Sequence, residues 1–199
     1  LAALLTELDQ APAASETYVI FHSDNGFACG HHGYWGKGNG TSPLNAWEPS
    51  VVVPFIIAGP GVAPGRVEPA PTSALALHAT ILELAGVDAA ARPAAEASGR
   101  PVEPSFASRL DGRAGEPDPS VVVCDEYGGL RMIRRDAWKL IERVDGPDEL
   151  YDLSADPGEA SNLIDSPAFA GVRADLHDAL TEWFAARCDP DRDGWHRPV

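Results

Sequence analysis

The stretch "TYVIFHSDNGFACGHHGYWGKGNGT", residues 17–41, joins a β-prone apolar run to a loop that is rich in glycine and polar side chains. The run from Thr17 to His22 predicts a strand that is buried on both faces, as in a sheet covered by helices. Loops as long as residues 24–48 are uncommon in compact domains unless they have a function. The stretch therefore predicts an α/β sheet with a candidate site at the carboxyl end of this strand.

Two further apolar segments extend the α/β pattern along the chain. "VVVPFIIA" (51–58) predicts a second strand, and "PTSALALHATILELAGVD" (71–88) predicts an inner helix that ends at Gly86. In this helix Leu77 and Ile81 recur at helical spacing. These segments predict part of a mixed sheet with flanking helices.

The last third of the chain has a different pattern. "VVVCDEY" (121–127), "LRMIR" (130–134) and "WKLIER" (138–143) predict the strands of an antiparallel meander. A helix follows in which five apolar side chains share one face: Phe169, Val172, Leu176, Leu180 and Trp183. We therefore predict two units, an α/β core portion over residues 1–115 and a small α+β subdomain over residues 116–199.

Composition excludes several kinds of partner. The formal net charge of −15 disfavours binding to nucleic-acid phosphates and to anionic membranes. No run approaches the roughly 20 apolar residues of a membrane-spanning helix. The three cysteines, Cys29, Cys124 and Cys188, form neither a disulfide framework nor a CxxC metal pair.

The first candidate site residues are Asp24 and Asn25, directly after the predicted strand. One carboxylate and one amide oxygen suit a hard cation such as Ca²⁺ or Mg²⁺. Because Ca²⁺ takes roughly 6–8 oxygen ligands, the others must come from elsewhere. The same Asp-Asn-Gly sequence is also a strong turn signal, so a purely structural turn is the alternative.

Lys37 lies between two glycines, where the backbone can approach a ligand closely. A lysine in this setting can anchor a tetrahedral anion such as sulfate or phosphate, although an ordinary surface lysine has the same pattern. His31 and His32 are adjacent, and in extended backbone at most one of them faces the site. A twin-histidine zinc site is disfavoured because the spacing lacks HxxxH or HExxH.

Four motifs in order now resemble the sulfatases of the alkaline-phosphatase superfamily. They are "SDNG", "GHHGYWGKGNGT", "VVVPFIIAGPG" with the later "TILELAG", and "ELYDLSADPGEASNL". The resemblance extends over roughly residues 1–195. It implies a sulfatase-type α/β fold and a sulfuric-ester hydrolase that acts on a small-molecule or carbohydrate sulfate ester.

The resemblance also implies roles for individual residues. Asp24 and Asn25 match two ligands of a Ca²⁺ ion that holds the substrate sulfate, with Mg²⁺ as an alternative. Lys37 matches the lysine that contacts the sulfate, and His32 takes a substrate-side position. An amide at position 25 suits Ca²⁺, whereas an imidazole there suits zinc, which favours a sulfatase over a two-zinc phosphatase.

The nucleophile of this family is a formylglycine made within a C/S-x-P-x-R motif, which precedes "SDNG" together with two further aspartate ligands. Nothing before Ser23 matches these features, so we expect this chain to be the C-terminal portion of the enzyme, with its N-terminal portion as partner. "CDPDR", from Cys188 to Arg192, fits the motif literally. Because it follows the metal motif and places two aspartates beside an anionic substrate, we interpret it as a chance match.

The leading hypothesis is therefore a sulfatase C-terminal portion that is inactive when isolated. A phosphate or phosphonate monoester hydrolase of the same superfamily is the first alternative. A non-catalytic binding module derived from a sulfatase is the second alternative.

Overall fold

The structure is a computed structural model that describes residues 1–87, 101, 103–112, 120–125, 127–189, 191 and 193–195. Its helices are Ala2–Asp9 (α1), Glu48–Val51 (α2), Leu77–Leu84 (α3) and Ala170–Arg187 (α4). Its strands are Val19–His22 (β1), Ala28–Cys29 (β2), Trp35–Gly36 (β3), Phe55–Ala58 (β4), Val121–Cys124 (β5), Leu130–Arg135 (β6), Trp138–Arg143 (β7) and Glu149–Asp152 (β8). The predicted boundary between residues 115 and 116 lies outside the described residues.

Strands β1 and β4 form a two-stranded antiparallel sheet in which His22 lies opposite Phe55. Phe21 and Ile56 are also directly opposite each other, so their side chains share one face. They are 45% and 61% exposed. The prediction that this strand is buried on both faces is therefore wrong for the described residues, which leave this face uncovered.

Strands β5 to β8 form a four-stranded antiparallel sheet in sequence order. The predicted meander is confirmed, and "ELYD" adds β8 as a fourth strand. On one face, α4 packs its predicted apolar side against the sheet, and Leu176 and Leu180 become almost completely buried. Burial of such a leucine contributes about 1.5–3 kcal/mol. The predicted α/β fold with a C-terminal antiparallel sheet and a terminal helix is confirmed.

The opposite face of the same sheet is also buried. It packs against the last part of the glycine-rich loop, and this cluster contains Ala46, Trp47, Leu130, Met132, Ile141 and Tyr151. Adjacent residues of β6 and β7 face opposite sides of the sheet, because side chains alternate along a strand. The sheet therefore connects the terminal helix to the loop that carries the candidate site residues.

The inner helix is confirmed as α3, with a different buried face. The Ser73 hydroxyl accepts a hydrogen bond from the Leu75 amide (3.3 Å) at the start of the 3-10 turn Ala74–Ala76 that precedes the helix, and Gly86 follows its end with a φ of 72°. Thr80 is fully buried and accepts the Phe106 amide at 3.1 Å, whereas Ile81 is 46% exposed. The helix packs through its small side chains because the chain around Phe106 lies close to it.

Among the described helices, none has both the length and the apolar composition that a bilayer span requires.

Candidate active site

Strand β1 ends at His22, and the turn that follows orients two predicted metal ligands. The Ser23 hydroxyl donates to the Asn25 carbonyl (2.9 Å), and the Asn25 Nδ2 donates to the Gly26 carbonyl (2.8 Å). Because the amide nitrogen is used within the turn, Oδ1 is the side-chain atom of Asn25 that is available to a cation. Asp24 is exposed, and the structure gives its carboxylate no ion pair with the described residues.

This turn rests on the backbone around α2. The Gly26 amide donates to the Ser50 carbonyl at 3.0 Å. A Cβ atom at position 26 would lie 2.2 Å from the Pro49 carbonyl oxygen, so only glycine fits without displacement of the backbone. The sequence "DNG" therefore forms a turn. The role of Asp24 and Asn25 as metal ligands stays a prediction.

Lys37 begins a second tight loop. Its backbone is extended, with φ −85° and ψ 169°, and its side chain is exposed. The next residue, Gly38, accepts a hydrogen bond from the Asn45 amide at 3.1 Å, and a Cβ atom there would lie 2.4 Å from the Asn45 carbonyl oxygen. Among the described residues, no carboxylate forms an ion pair with the Lys37 ammonium, which is therefore available to an anion.

The two loops meet at one cavity. Asp24, Asn25 and Lys37 all line a cavity of about 1060 Å³ between the β1–β4 pair and the C-terminal sheet. Oxygen donors and an ammonium group are the groups that a cation-bound tetrahedral anion requires. Three of the four site residues predicted from the sequence thus line the same cavity.

His32 has a different position. Its ring stacks on Trp47 with 4.3 Å between ring centroids and an angle of 28°, and its φ is 52°. The residue is exposed and is absent from the lining of the cavity. The Nδ1 atom of the neighbouring His31 accepts the Cys29 amide at 3.2 Å. The substrate-side role of His32 stays a prediction.

His22 is a candidate that the sequence reasoning missed. It lines the same cavity, and its ring lies 4.8 Å from the Phe55 ring. Its Nδ1 is buried and has no hydrogen-bond partner in the described part of the chain. The sequence feature that could have identified His22 is its position immediately before "SDNG", at the carboxyl end of the strand.

A buried ionic network behind the site was also missed. Lys139 of β7 is fully buried, and its Nζ lies 2.9 Å from Glu48 Oε1 and 2.7 Å from Glu159 Oε1. Arg134 Nη1 lies 3.0 Å from the other Glu48 carboxylate oxygen. The sequence feature that could have revealed this network is the lysine in the middle of the apolar strand pattern "AWKLI". A lysine that is buried in a strand requires an acidic partner.

A second set of buried contacts fixes Trp47. Its Nε1 donates to Glu149 Oε2 at 2.9 Å, and Arg143 Nη2 lies 3.2 Å from Glu149 Oε1. Arg143 Nε also donates to the Leu44 carbonyl at 2.6 Å. Burial, reinforced by the Glu149 carboxylate, raises the pKa of the Tyr151 phenol, which therefore stays neutral beside this pair.

Cys188 lies at the end of α4, where its amide donates to the Phe184 carbonyl at 2.8 Å. Its side chain packs against the core between α4 and the sheet, and it is absent from the lining of the cavity. Pro190 and Arg192 of the "CDPDR" match lie outside the described residues.

The donor set fits part of a cation site. No group of three or more His, Cys, Asp or Glu side chains among the described residues could hold a metal ion. Asp24 and Asn25 are hard oxygen donors at one position, which suits Ca²⁺ or Mg²⁺, but they supply only two of the roughly 6–8 ligands of Ca²⁺.

Comparisons with known proteins identify the family of the chain. The family model described as Sulfatase matches residues 1–87. Choline-sulfatase of Rhizobium meliloti (strain 1021) is 33% identical over 167 residues, which cover 82% of this chain and 30% of that protein. The chain spans about 30% of the length of the first curated relatives that it matches.

Solved structures show the same fold. A 2-O GAG sulfatase superposes with a TM-score of 0.69 at 26% identity, covering 92% of this chain and 39% of that chain. Phosphonate monoester hydrolase of Agrobacterium radiobacter superposes with a TM-score of 0.70 at 24% identity, covering 92% of this chain and 38% of that chain. The family match, the sequence relatives and the shared fold together show that the chain belongs to the sulfatase family.

Proposed function

We propose that this chain supplies part of the active site of a sulfuric-ester hydrolase. The observation that carries the proposal is the convergence of Asp24, Asn25 and Lys37 on one cavity. Neither the Asp24 carboxylate nor the Lys37 ammonium forms an ion pair with another described residue, so both charges are available to ligands.

The roles of these residues follow from their chemistry. Asp24 and the Oδ1 of Asn25 hold a Ca²⁺ ion, with Mg²⁺ as the alternative, which polarises an oxygen of the sulfate when it is bound. Lys37 binds another sulfate oxygen and stabilises the negative charge that develops there. His32 keeps the substrate-side role that the family resemblance implies, although its ring stacks on Trp47 outside the lining of the cavity.

The nucleophile in this proposal is a formylglycine on the N-terminal portion of the enzyme, which also provides the remaining metal ligands. Cys188 is not assigned that role, because its side chain packs beside α4 and does not line the cavity. The 199-residue chain is therefore inactive alone and requires the N-terminal portion as its partner.

The substrate class is a small-molecule or carbohydrate sulfate ester. Its support comes from relatives, which include a choline-sulfatase and a 2-O GAG sulfatase. The cavity of about 1060 Å³ has room for either kind of ester.

A phosphate or phosphonate monoester hydrolase is the second candidate, because the phosphonate monoester hydrolase shares this fold. Both anions are tetrahedral and suit a lysine beside a hard cation. The amide at Asn25 favours Ca²⁺ chemistry and thereby the sulfatase. A non-catalytic binding module is the third candidate and would retain anion binding without turnover.

The test is hydrolysis of matched aryl esters by the intact protein, produced in cells that form formylglycine. We expect Ca²⁺-dependent release of the aryl alcohol from an aryl sulfate, with a much lower kcat/KM for the matching aryl phosphate and phosphonate. Preference for a phosphorus ester would support the second candidate. Anion binding without turnover of any ester would support the module.

A further inference from the structure

Both loops of the candidate site rest on one short segment, residues 45–50, which we call the bracket segment. At one end of it, Ser50 accepts the Gly26 amide at 3.0 Å, next to the two predicted metal ligands. At the other end, Asn45 donates its amide to the Gly38 carbonyl at 3.1 Å, next to Lys37. The spacing between the metal ligands and the anion-binding lysine is therefore set by this segment.

The bracket segment is held in place by the C-terminal sheet. In its middle, the Glu48 amide donates to Glu159 Oε2 at 2.7 Å. The Glu48 carboxylate lies 2.9 Å from Lys139 Nζ, and the same ammonium lies 2.7 Å from Glu159 Oε1. Glu159 therefore holds the bracket segment in two ways. It accepts the backbone amide of Glu48, and it contacts Lys139, which in turn contacts the Glu48 carboxylate.

We infer that Glu159 is a positioning residue for the candidate site, and this inference rests on the proposed function. Through Glu48 it fixes the bracket segment, and through that segment it fixes the relative positions of Asp24, Asn25 and Lys37. Glu159 lies in the "DPGE" turn after β8 and is absent from the lining of the cavity, whereas Glu48, whose amide it accepts, is part of that lining.

The location of this carboxylate indicates a role beyond covering the sheet. Glu159 is 2% exposed and has a φ of 55°, a conformation that non-glycine residues rarely adopt. An apolar side chain would cover the sheet without the cost of removing a charge from water. Only an acid can accept the Glu48 amide and neutralise Lys139 at the same time.

The experiment compares Glu159→Gln with Glu142→Gln in the intact protein. Both positions are buried glutamates that contact a basic side chain, and Glu142 Oε1 lies 2.7 Å from Nδ1 of His177 on α4, away from the bracket segment. A glutamine at position 159 keeps one acceptor oxygen and loses either the Glu48 amide or the Lys139 contact. The measurements are kcat, KM, inhibition by inorganic sulfate, and hydrogen exchange of the amides of residues 37–50.

We expect Glu159→Gln to lower kcat by about tenfold or more with a smaller change in KM. Displacement of the groups that bind the sulfate weakens their interaction with the transition state more than their interaction with the bound substrate. Weaker inhibition by sulfate and faster exchange of residues 37–50 should accompany this loss. Glu142→Gln should leave these four quantities near their wild-type values.

Two results would overturn the inference. One is unchanged exchange and unchanged kcat in Glu159→Gln, and the other is an equal effect of both variants, which would indicate general destabilisation. If Glu159→Gln does not fold, Glu159→Asp replaces it, since this change keeps the charge but shortens the reach of the carboxylate to the Glu48 amide and to Lys139. The hydrogen-exchange measurement needs no turnover. An inactive wild-type protein would therefore contradict the proposed function, while hydrogen exchange would still test the positioning role of Glu159.

Discussion

At the scale of single residues, the chain uses its two lysines in opposite ways. Lys37 is exposed and has no carboxylate partner among the described residues, whereas Lys139 is fully buried between two glutamates. A solvated ammonium retains its charge for a ligand, and a buried one is already neutralised. We therefore propose anion binding for Lys37, whereas the contacts of Lys139 give it a structural role.

Replacement of this ammonium tests that assignment. We expect Lys37→Ala to lower kcat/KM of the intact protein for its sulfate ester by about 10²-fold or more. The melting temperature should barely change, because the side chain is exposed. Arg135→Ala, which removes an equally exposed cation on β6, is the control, and turnover by Lys37→Ala equal to that of this control would make Lys37 an ordinary surface lysine.

Loss of a metal ligand has a different signature. Asp24→Ala should raise the Ca²⁺ concentration needed for half-maximal activity and reduce the increase in melting temperature that Ca²⁺ produces, because ligand binding stabilises the folded state. The exposed Asp175 on α4 provides the control substitution Asp175→Ala. An unchanged Ca²⁺ response of Asp24→Ala would contradict its role as a ligand.

Sequence reasoning finds residues of this kind only when their signal is local. Asp24, Asn25 and Lys37 occur within fifteen positions of one another and follow a predicted strand. The contact between Glu48 and Lys139 spans 91 positions, and the one between Glu48 and Glu159 spans 111. No local pattern predicts such partners, so the supporting network was visible only in the fold.

At the scale of secondary-structure elements, sequence patterns predicted the elements better than their environments. Short β-prone runs identified β5, β6 and β7, and the helical period identified α4 with Leu176 and Leu180 in its core. The same patterns predicted more burial for β1 and for Ile81 than the structure shows, because burial depends on what covers an element. The two-residue strands β2 and β3 are too short to show any period.

The loop that carries Lys37 permits a matched pair of substitutions. A Cβ atom at position 38 would lie 2.4 Å from the Asn45 carbonyl oxygen, while at position 40 it would meet no atom within 4 Å. We expect Gly38→Ala to displace the loop and lower kcat/KM by about tenfold or more, because small misplacements of catalytic groups are costly. Gly40→Ala should leave kcat/KM nearly unchanged, and equal effects of the two substitutions would show that the contact with Asn45 does not set the loop position.

At the scale of the whole molecule, the β1–β4 pair is open on the face that carries Phe21 and Ile56. These side chains are 45% and 61% exposed, although Ile56 also lines the cavity. A two-stranded sheet with an open apolar face is only marginally stable on its own. We propose that the N-terminal portion of the enzyme covers this face, consistent with a chain that spans about 30% of its first curated relatives.

The isolated 199-residue chain tests this proposal. We expect it to release no alcohol from an aryl sulfate, even with Ca²⁺, and to self-associate through the open face. The double substitution Phe21→Ser and Ile56→Ser should reduce the association measured by sedimentation, whereas Leu4→Ser on α1 should have little effect. Turnover by a monomeric chain would contradict the division of the active site between two portions.

The most direct test of the central claim is the rate at which an amine-acylating reagent modifies Lys37 in the intact protein, read by peptide mass. The claim is that Lys37, Asp24 and Asn25 form one site for a cation-bound sulfate. With Ca²⁺ and inorganic sulfate both about tenfold above their dissociation constants, acylation of Lys37 should slow by about tenfold, and omission of either ion should abolish most of this protection. Buried Lys139 serves as the internal reference and should stay unmodified until the protein unfolds. Acylation of Lys37 at the same rate with and without the two ions would contradict the account.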